Sequence, residues 1–389
     1  MVTIIGSISY FHLHFSFGGE ATTMDSVYGT VADGLETIRM EWLRRRNQSI
    51  SQQKEIRNPP LLESAELKDQ LTTSKSSSHL KHPERRIVAA IYASHAGSDD
   101  RFCRSLESAI AHNVSISLLG WNVPWKGLSQ KLEAVHRLAT SLPPHHVVLF
   151  TDAYDIMFAD SEKSILNNFL KMNATIVFSA ECGCWPHIME NREVCFTGYP
   201  RSPTKSRYLN SGAWIGYAGD AAKMLHAIIQ EAGNSFENAN DQKLAADMYI
   251  EGRFGIKLDF FNRIFQAMHY TLDDPLPYCY PRKELEITQQ GKWRNKATKS
   301  KPAVFHFNGR QNYITIEYSL KMIFYVGGGK SSHLDMESKM WYKRIHRVDK
   351  NRLGGLASSL ISLPDNPKLR SLKFLDLCGD YLRKEYRWR

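Results

Sequence analysis

The sequence predicts an α/β fold in which a mostly parallel sheet is covered by helices on both faces. Two observations carry this prediction. Short apolar runs recur from residue 86 onward, continuous at Ile87 to Ala93 and Val147 to Phe150 and broken only by Ser115 and Ser117 in Val114 to Leu119, and strands apolar on both sides are strands buried on both faces. Between these runs the apolar residues return at helical spacing, first Phe102, Leu106, Ala109 and Ile110, then Leu128, Leu132, Val135 and Leu138. The order is therefore strand, helix, strand, helix, strand, the signature of a layered α/β domain.

Later elements follow with less regularity. Apolar runs predict strands at Thr175 to Ala180, Ala213 to Ala218 and Ala303 to Phe307, and helices near Ser161, over 220–232 and over 241–250. The Pro/Lys-rich stretch 271–302 is expected to be loop. Leu372, Phe374, Leu375, Leu377 and Leu382 are spaced for a terminal helix over 371–385. Upstream, residues 44–85 are rich in Ser, Gln, Lys, Glu and Pro and poor in aromatics, a composition that cannot bury a core. The expected division is an N-terminal extension over 1–85, largely linker or disordered, a folded domain over 86–315, and a partly helical C-terminal extension over 316–389. No internal repeat is present.

Composition narrows the function classes. At 389 residues and 42% apolar content the chain is long enough to bury the core of an enzyme. Its net charge of +10 is concentrated at Arg44 to Arg46, in 281–301 and in the last twenty residues. Such charge attracts anions in general, and a nucleoside diphosphate serves as well as nucleic acid. Zinc-finger spacing, a basic zipper and a continuous basic helix with interleaved aromatics are all lacking, so no nucleic-acid partner is predicted. Six cysteines, at 103, 182, 184, 195, 279 and 378, include no CxxC pair, which excludes a zinc ribbon or a thioredoxin-type motif. Two readings stay open for them: Cys182 and Cys184 pair with distant partners in an oxidising compartment, or the cysteines are buried or free thiols. Val2 to Phe17 is apolar but interrupted by Ser7, Ser9, His12, His14 and Ser16, without a basic residue before it. It makes neither a good secretory signal nor a membrane span. Sequons at Asn47, Asn113 and Asn173 do not decide the compartment.

The chemistry begins at Thr151-Asp152-Ala153-Tyr154-Asp155, directly after an apolar strand. Ligands of open parallel sheets bind beyond the carboxyl ends of the strands, and two carboxylates three residues apart at such an end can turn into one cleft. Hard divalent cations take oxygen ligands and share them with substrate phosphates. The competing reading is that Asp152 caps the helix near Ser161, or that both acids merely end a strand. A second cluster, Val304-Phe305-His306-Phe307-Asn308-Gly309, places an imidazole after another strand, where it can complete a site begun by carboxylates. Small residues at Leu209-Asn210-Ser211-Gly212-Ala213 permit close backbone approach to a sugar or phosphate. At Asn240-Asp241-Gln242 the polar side chains can fix sugar hydroxyls, with helix capping as the rival role for Asn240 or Asp241.

These words together resemble the glycosyltransferase domain of the procollagen lysyl hydroxylases, which is similar in turn to the collagen galactosyltransferases. From about Arg86 to Tyr313 the chain carries, in matching order, Leu118-Leu119-Gly120, Gln130-Lys131, LFTDAYD at 149–155, FSAE at 178–181, CWP at 184–186, LNSGAWIGYA at 209–218, NDQ at 240–242, RIFQ at 263–266 and HFNG at 306–309. The resemblance implies a GT-A-type, Rossmann-like fold and transfer of glucose or galactose from UDP-glucose or UDP-galactose to a hydroxyl of a protein or glycan. By the same resemblance Asp152, Asp155 and His306 bind manganese, with magnesium as the alternative, and Tyr154 lines the nucleotide site. Trp125 stacks on uracil, Lys131 approaches the diphosphate, Asp241 contacts the donor sugar or acts near the acceptor, and Trp185 gates the pocket. Gly212 and Gly309 let the backbone close on the donor. The implied compartment is the lumen of the endoplasmic reticulum or Golgi, although residues 2–17 leave the cytoplasm open.

Three departures matter. Asn240 stands where the family often has an acid, leaving Asp241 the sole carboxylate of its word. Ala213 replaces the second glycine of the family's NSGG, and its β-carbon is expected to alter how closely the sugar lies. The oxygenase domain is not expected: His333-Leu334-Asp335 imitates an iron-binding word, but too few residues follow it and only His346 offers a further histidine. Two rival functions remain. One is a haloacid-dehalogenase-like phosphohydrolase, whose acids are two apart and follow the first strand. The other is a catalytically silent module that binds sugar nucleotide or glycan.

Overall fold

The structure, a computed structural model, describes residues 86–94, 99–233, 239–271, 276, 278–288, 292–309, 350–366 and 368–386. The expected extension 1–85, including Val2 to Phe17, Arg44 to Arg46 and the Asn47 sequon, lies outside these residues, as do His333-Leu334-Asp335 and His346. The described residues belong to a compact unit, Leu80–Arg389.

The described residues begin with strand β1 (Ile87–Tyr92), helix α1 (Asp100–Ala111), β2 (Ile116–Leu119), α2 (Leu128–Ser141) and β3 (Val147–Thr151). These match the expected alternation to within a few residues. Asp99 caps α1 by accepting from the Arg101 N–H at 2.8 Å, and Ser161 caps α3 (Glu162–Lys171) through the Ser164 N–H at 3.3 Å. A short-chain oxygen at each N-cap satisfies a donor that the helix itself leaves unpaired. Because Ser161 performs this role, Asp152 is not the cap of that helix.

The main sheet has the order β13-β12-β2-β1-β3-β6-β5-β7. It includes β5 (Ile176–Glu181), β6 (Tyr208–Tyr217), β7 (Ile256–Leu258), β12 (Leu360–Ser362) and β13 (Ser371–Lys373). Only β6 and the edge strand β13 run against the others. The sheet is therefore mostly parallel, as its apolar strands predict. Phe102 and Leu106 of α1, Phe169 of α3 and Phe374 and Leu377 of α7 (Phe374–Tyr386) cover one face. Leu132 and Val135 of α2, Met224, Leu225 and Ile228 of α4 (Ala218–Ala232), and Ala245 and Met248 of α5 (Asp241–Ile250) cover the other. Each fully buried Phe or Leu contributes about 1.5–3 kcal/mol relative to exposure.

A second sheet, β4-β11-β8, joins β4 (Ile156–Phe158), β8 (Phe265–Ala267) and β11 (Val304–His306). Three-residue strands are too short to show a period, so β4 and β8 were not legible as strands. The turn into β8 is fixed by Asp259, which is buried and accepts from the N–H groups of Arg263, Ile264 and Phe265 at 2.7 to 3.0 Å. Residues 271–302 are not all loop: a helical turn, Pro281–Glu284, precedes a hairpin of β9 (Leu285–Ile287) and β10 (Trp293–Asn295). Trp293, Leu285 and Ile287 pack on Met157, Phe305 and Phe307, a period-two pattern hidden among charged neighbours.

The six cysteines form three disulfides, Cys103–Cys378, Cys182–Cys279 and Cys184–Cys195. Helix α6 (Lys350–Ser358), β12, β13 and α7 follow in the last forty residues. Besides the Cys103–Cys378 bridge, Tyr381 and Tyr386 donate to the buried Glu107 carboxylate at 2.5 and 2.6 Å. Among the described residues no helix is long and apolar enough to cross a membrane.

Candidate active site

The cleft lies at the carboxyl ends of β3 and β5 and is assembled by pairing rather than by sequence proximity. Asp152 and Asp155 follow β3. Antiparallel pairing of β4 with β11 sets His306 opposite Ile156, and the Phe307 N–H donates to the Asp155 carbonyl at 2.8 Å. This is what brings an imidazole from far along the chain to the two acids. His306 Nε2 stands 3.4 Å from Asp155 Oδ2 and 3.7 Å from Asp152 Oδ2. One ligand atom from each of the three side chains falls within 4.8 Å of the others.

The imidazole is oriented from behind. The buried Asn210 donates through Nδ2 to Glu181 Oε1 at 3.1 Å, so its Oδ1 faces His306 Nδ1 at 2.8 Å and also accepts from the Gly212 N–H at 3.2 Å. That network assigns a proton to Nδ1 and makes Nε2 the nitrogen turned toward the carboxylates, the arrangement common to metal-ligating histidines. Gly212 makes room for it. A β-carbon there would lie 2.2 Å from His306 Cε1 and 2.6 Å from Asp152 Oδ2. Pairing in β6 jumps from Trp214–Phe178 to Asn210–Ser179, a bulge of the kind that re-aims side chains at a site. Two carboxylates and one imidazole make a donor set that could hold a divalent cation.

Charge in the cleft is unbalanced toward the negative. Asp152, Asp155, Glu181 and Asp241 share it with Lys131 and His306. Lys131 Nζ bridges Asp241 Oδ2 at 2.8 Å and Asp152 Oδ1 at 3.2 Å. Burial works against the ammonium, but Asp152 and Asp241 outweigh it and hold the Lys131 pKa above its ordinary value. Asp241 also accepts from the Ser211 hydroxyl at 3.1 Å. Burial would raise its pKa, yet Lys131 holds it below the usual carboxylate range. For Asp152 burial prevails over Lys131 and His306 and the pKa is raised. At Asp155 burial is outweighed by His306 and the pKa is lowered. The imidazole in turn is raised: burial opposes its charge, and Asp155 overcomes that.

The cleft holds about 490 Å³ and is lined by Lys131, Asp152, Asp155, Trp185, Gly212, Asp241, His306 and Gly309 among others. Trp185 is 52% exposed at its mouth. Two expected site residues are not part of this lining. Trp125, also 52% exposed, sits at the end of β1 with its ring 5.9 Å from that of Tyr92. Tyr154 packs 6.2 Å from Phe102, with the Arg101 guanidinium 5.6 Å from its ring centre.

Several functional groups escaped the sequence reading. Glu181, the last residue of the FSAE word, is one of them. It is buried and accepts from Asn210, from Gln242 Nε2 at 2.9 Å and from Asn308 Nδ2 at 2.7 Å. A charged residue ending an otherwise apolar strand was the available signal. Asn240 caps α5 by accepting from the Lys243 N–H at 3.0 Å, a task for which Asn and Asp are equivalent. Asp241 is thereby free to face Lys131. Ala213 does not crowd the cleft, contrary to expectation: it is fully buried in the core cluster beside Ile215 and Val177, because adjacent strand residues point to opposite faces.

Residues 86–320 match the family model of the PLOD GT domain. The chain belongs to the PLOD GT domain family. That is a family of glycosyltransferase domains, and the matched segment contains every residue of the cleft. The procollagen-lysine,2-oxoglutarate 5-dioxygenase of Drosophila melanogaster is 30% identical over 224 residues, which are 54% of this chain and 29% of the fly protein. The human multifunctional procollagen lysine hydroxylase and glycosyltransferase LH3 is 26% identical over 242 residues, 59% of this chain and 30% of the human one. The chain thus spans less than a third of the length of these curated relatives. The solved glycosyltransferase GlyE of Streptococcus pneumoniae TIGR4 aligns with a TM-score of 0.34 at 11% identity, covering 63% of each chain.

Proposed function

We propose that this PLOD GT domain transfers glucose or galactose from UDP-glucose or UDP-galactose to an acceptor hydroxyl, with manganese or magnesium held by Asp152, Asp155 and His306. The observation that carries the reading is His306: its Nδ1 is engaged by Asn210 and its Nε2 faces two carboxylates. When bound, the cation supplies Lewis-acid stabilisation of the departing diphosphate.

The remaining roles belong to the chain's own side chains. Lys131 stays protonated and, positioned by Asp241, stabilises charge that develops on the diphosphate, an interaction strongest where water is excluded. Asp241 orients Lys131 and contacts the donor sugar. Gly212 and Gly309 admit the donor close to the backbone, and a β-carbon at Gly309 would come within 2.8 Å of His269 Nδ1. Trp185, exposed at the mouth, gates the pocket. Trp125 stacks on the base beside Tyr92, and Tyr154 supports the 151–155 turn from behind.

The acceptor is a protein or glycan, with hydroxylysine-linked acceptors favoured by the procollagen-modifying relatives. The three disulfides, which join all six cysteines, support folding in an oxidising compartment such as the secretory lumen. The test is a donor and acceptor screen with manganese, using hydroxylysine peptides and their galactosylated forms. Sugar transfer with release of UDP is expected. Hydrolysis of simple phosphate esters, or nucleotide binding without transfer to any acceptor, overturns the proposal.

A further inference from the structure

The C-terminal hairpin β12–β13 forms the edge of the main sheet beside β2. Strand β12 runs parallel to β2, with Ser362 beside Ser117, so the turn that follows β12 falls at the carboxyl end of β2. That turn carries Asp365. Its Oδ2 accepts from the Gly120 N–H at 2.8 Å, across 245 positions of sequence. The hairpin is itself fixed: the Leu363 N–H donates to the Arg370 carbonyl at 2.8 Å, and Asn366 Oδ1 accepts from the N–H groups of Lys368 and Leu369 at 3.0 and 2.9 Å.

Gly120 is the pivot of the loop that bears Trp121 and Trp125. It adopts φ +72°, and a β-carbon would lie 2.4 Å from the Tyr92 ring. Its carbonyl accepts from the Val123 N–H at 3.0 Å, while the Asn122 N–H reaches Ser94 at the end of β1 at 3.2 Å. Farther along, Gln130 clamps the loop by accepting from the Lys126 N–H at 2.7 Å and donating to the Pro124 carbonyl at 2.9 Å. Asp365 is the contact that the C-terminal segment adds to this set. The carboxylate also lies near the Tyr92 hydroxyl, whose pKa is raised first by burial and then by the Asp365 charge.

We propose that Asp365 is a positioning residue for donor binding: by holding the Gly120 amide, it sets the loop on which Trp125 meets the nucleobase. The C-terminal hairpin thereby completes the base end of the donor site, for a nucleoside diphosphate. This inference rests on the UDP-sugar reading above.

The experiment compares the full chain with Asp365→Ala and Asp365→Asn. UDP affinity is measured by calorimetry with manganese, KM and kcat for the donor by UDP release, and exchange of the Gly120 amide by deuterium uptake without nucleotide. In Asp365→Ala the charge-assisted bond is lost, so UDP affinity falls and donor KM rises by roughly tenfold, while kcat holds within about twofold and the Gly120 amide exchanges faster. Asp365→Asn, whose side-chain oxygen still accepts from Gly120, restores most of the affinity and the amide protection. Wild-type UDP affinity in Asp365→Ala overturns the inference. So does equal damage from Asn and Ala, which would mean that the charge itself is sensed. Failure of the wild-type chain to bind UDP overturns the donor reading, and faster Gly120 exchange in Asp365→Ala still distinguishes that result from a failure of the Asp365 contact.

Discussion

Gly212→Ala is the substitution whose consequence follows most directly from the geometry. The new methyl would sit 2.2 Å from His306 Cε1, about 1.2 Å short of ordinary contact, and 2.6 Å from Asp152 Oδ2. The strand cannot yield readily, because β6 is paired with β3 on one side and β5 on the other. The Gly212 carbonyl also accepts from the Asp152 N–H at 2.7 Å. The imidazole must therefore swing away, breaking its bond to Asn210 and misdirecting Nε2. Loss of an orienting contact behind a metal ligand costs about 10–100-fold in metal affinity, and overpacking costs about 1–3 kcal/mol of stability. Manganese titration by calorimetry and thermal unfolding measure the two separately. The control is Ala213→Gly, one residue along, which removes a methyl from the core and costs about 1 kcal/mol with manganese affinity intact. Wild-type manganese affinity in Gly212→Ala would refute the reasoning.

Removing the cation from the buried cluster is expected to be worse than removing an exposed charge. Lys131→Met leaves Asp241 and Asp152 without their shared partner and should destabilise the fold by about 3–5 kcal/mol, read as a lowered denaturant midpoint; a loss under 1 kcal/mol would show that the pair is solvated. Replacing Cys103 and Cys378 by serine should cost about 2–5 kcal/mol, and thiol titration of the native wild-type chain should find no reactive cysteine. Asp247 accepts from Lys243 and pairs with His187 Nε2 at 2.8 Å each. Burial raises its pKa, but the bonds to His187 and Lys243 hold it below the ordinary value. Its contribution is therefore full above about pH 4 and is lost as pH falls through the depressed value. Asp247→Asn should flatten the acid limb of the stability curve, and an unchanged limb would contradict the assignment.

What the sequence revealed tracks how locally each feature is encoded. Strands β1 and β3 and helices α1 and α2 announce themselves because their apolar residues, such as Ile87 to Tyr92 and Leu132 with Val135, are set by burial against the sheet. The antiparallel direction of β6 is invisible in composition, since Leu209 to Gly216 is buried on both faces like its parallel neighbours. Strands β4 and β8 have three residues each and show no period; the apolar run Ala303 to Phe307 marks β11, and pairing with it is what places the other two. The acids of the 151–155 turn and His306 could be named from residue type and position after a strand. Their mutual distances could not, because the β4–β11 register creates them. Glu181, Asn210 and Asn308 are legible only in three dimensions, as a network whose members are ordinary polar residues until Asn210 is seen to orient His306. The same holds for Asp365, whose partner Gly120 becomes its neighbour only when β12 docks on β2.

The most direct measurement is UDP release from UDP-glucose and UDP-galactose by the wild-type chain with manganese, after chelation, and in Asp152→Ala, Asp155→Ala and His306→Ala. Release that requires the metal and falls by about 100-fold or more in each variant is the predicted result. Release that persists after chelation, or at full rate in either aspartate variant, would contradict a metal-assisted transfer built on these three side chains.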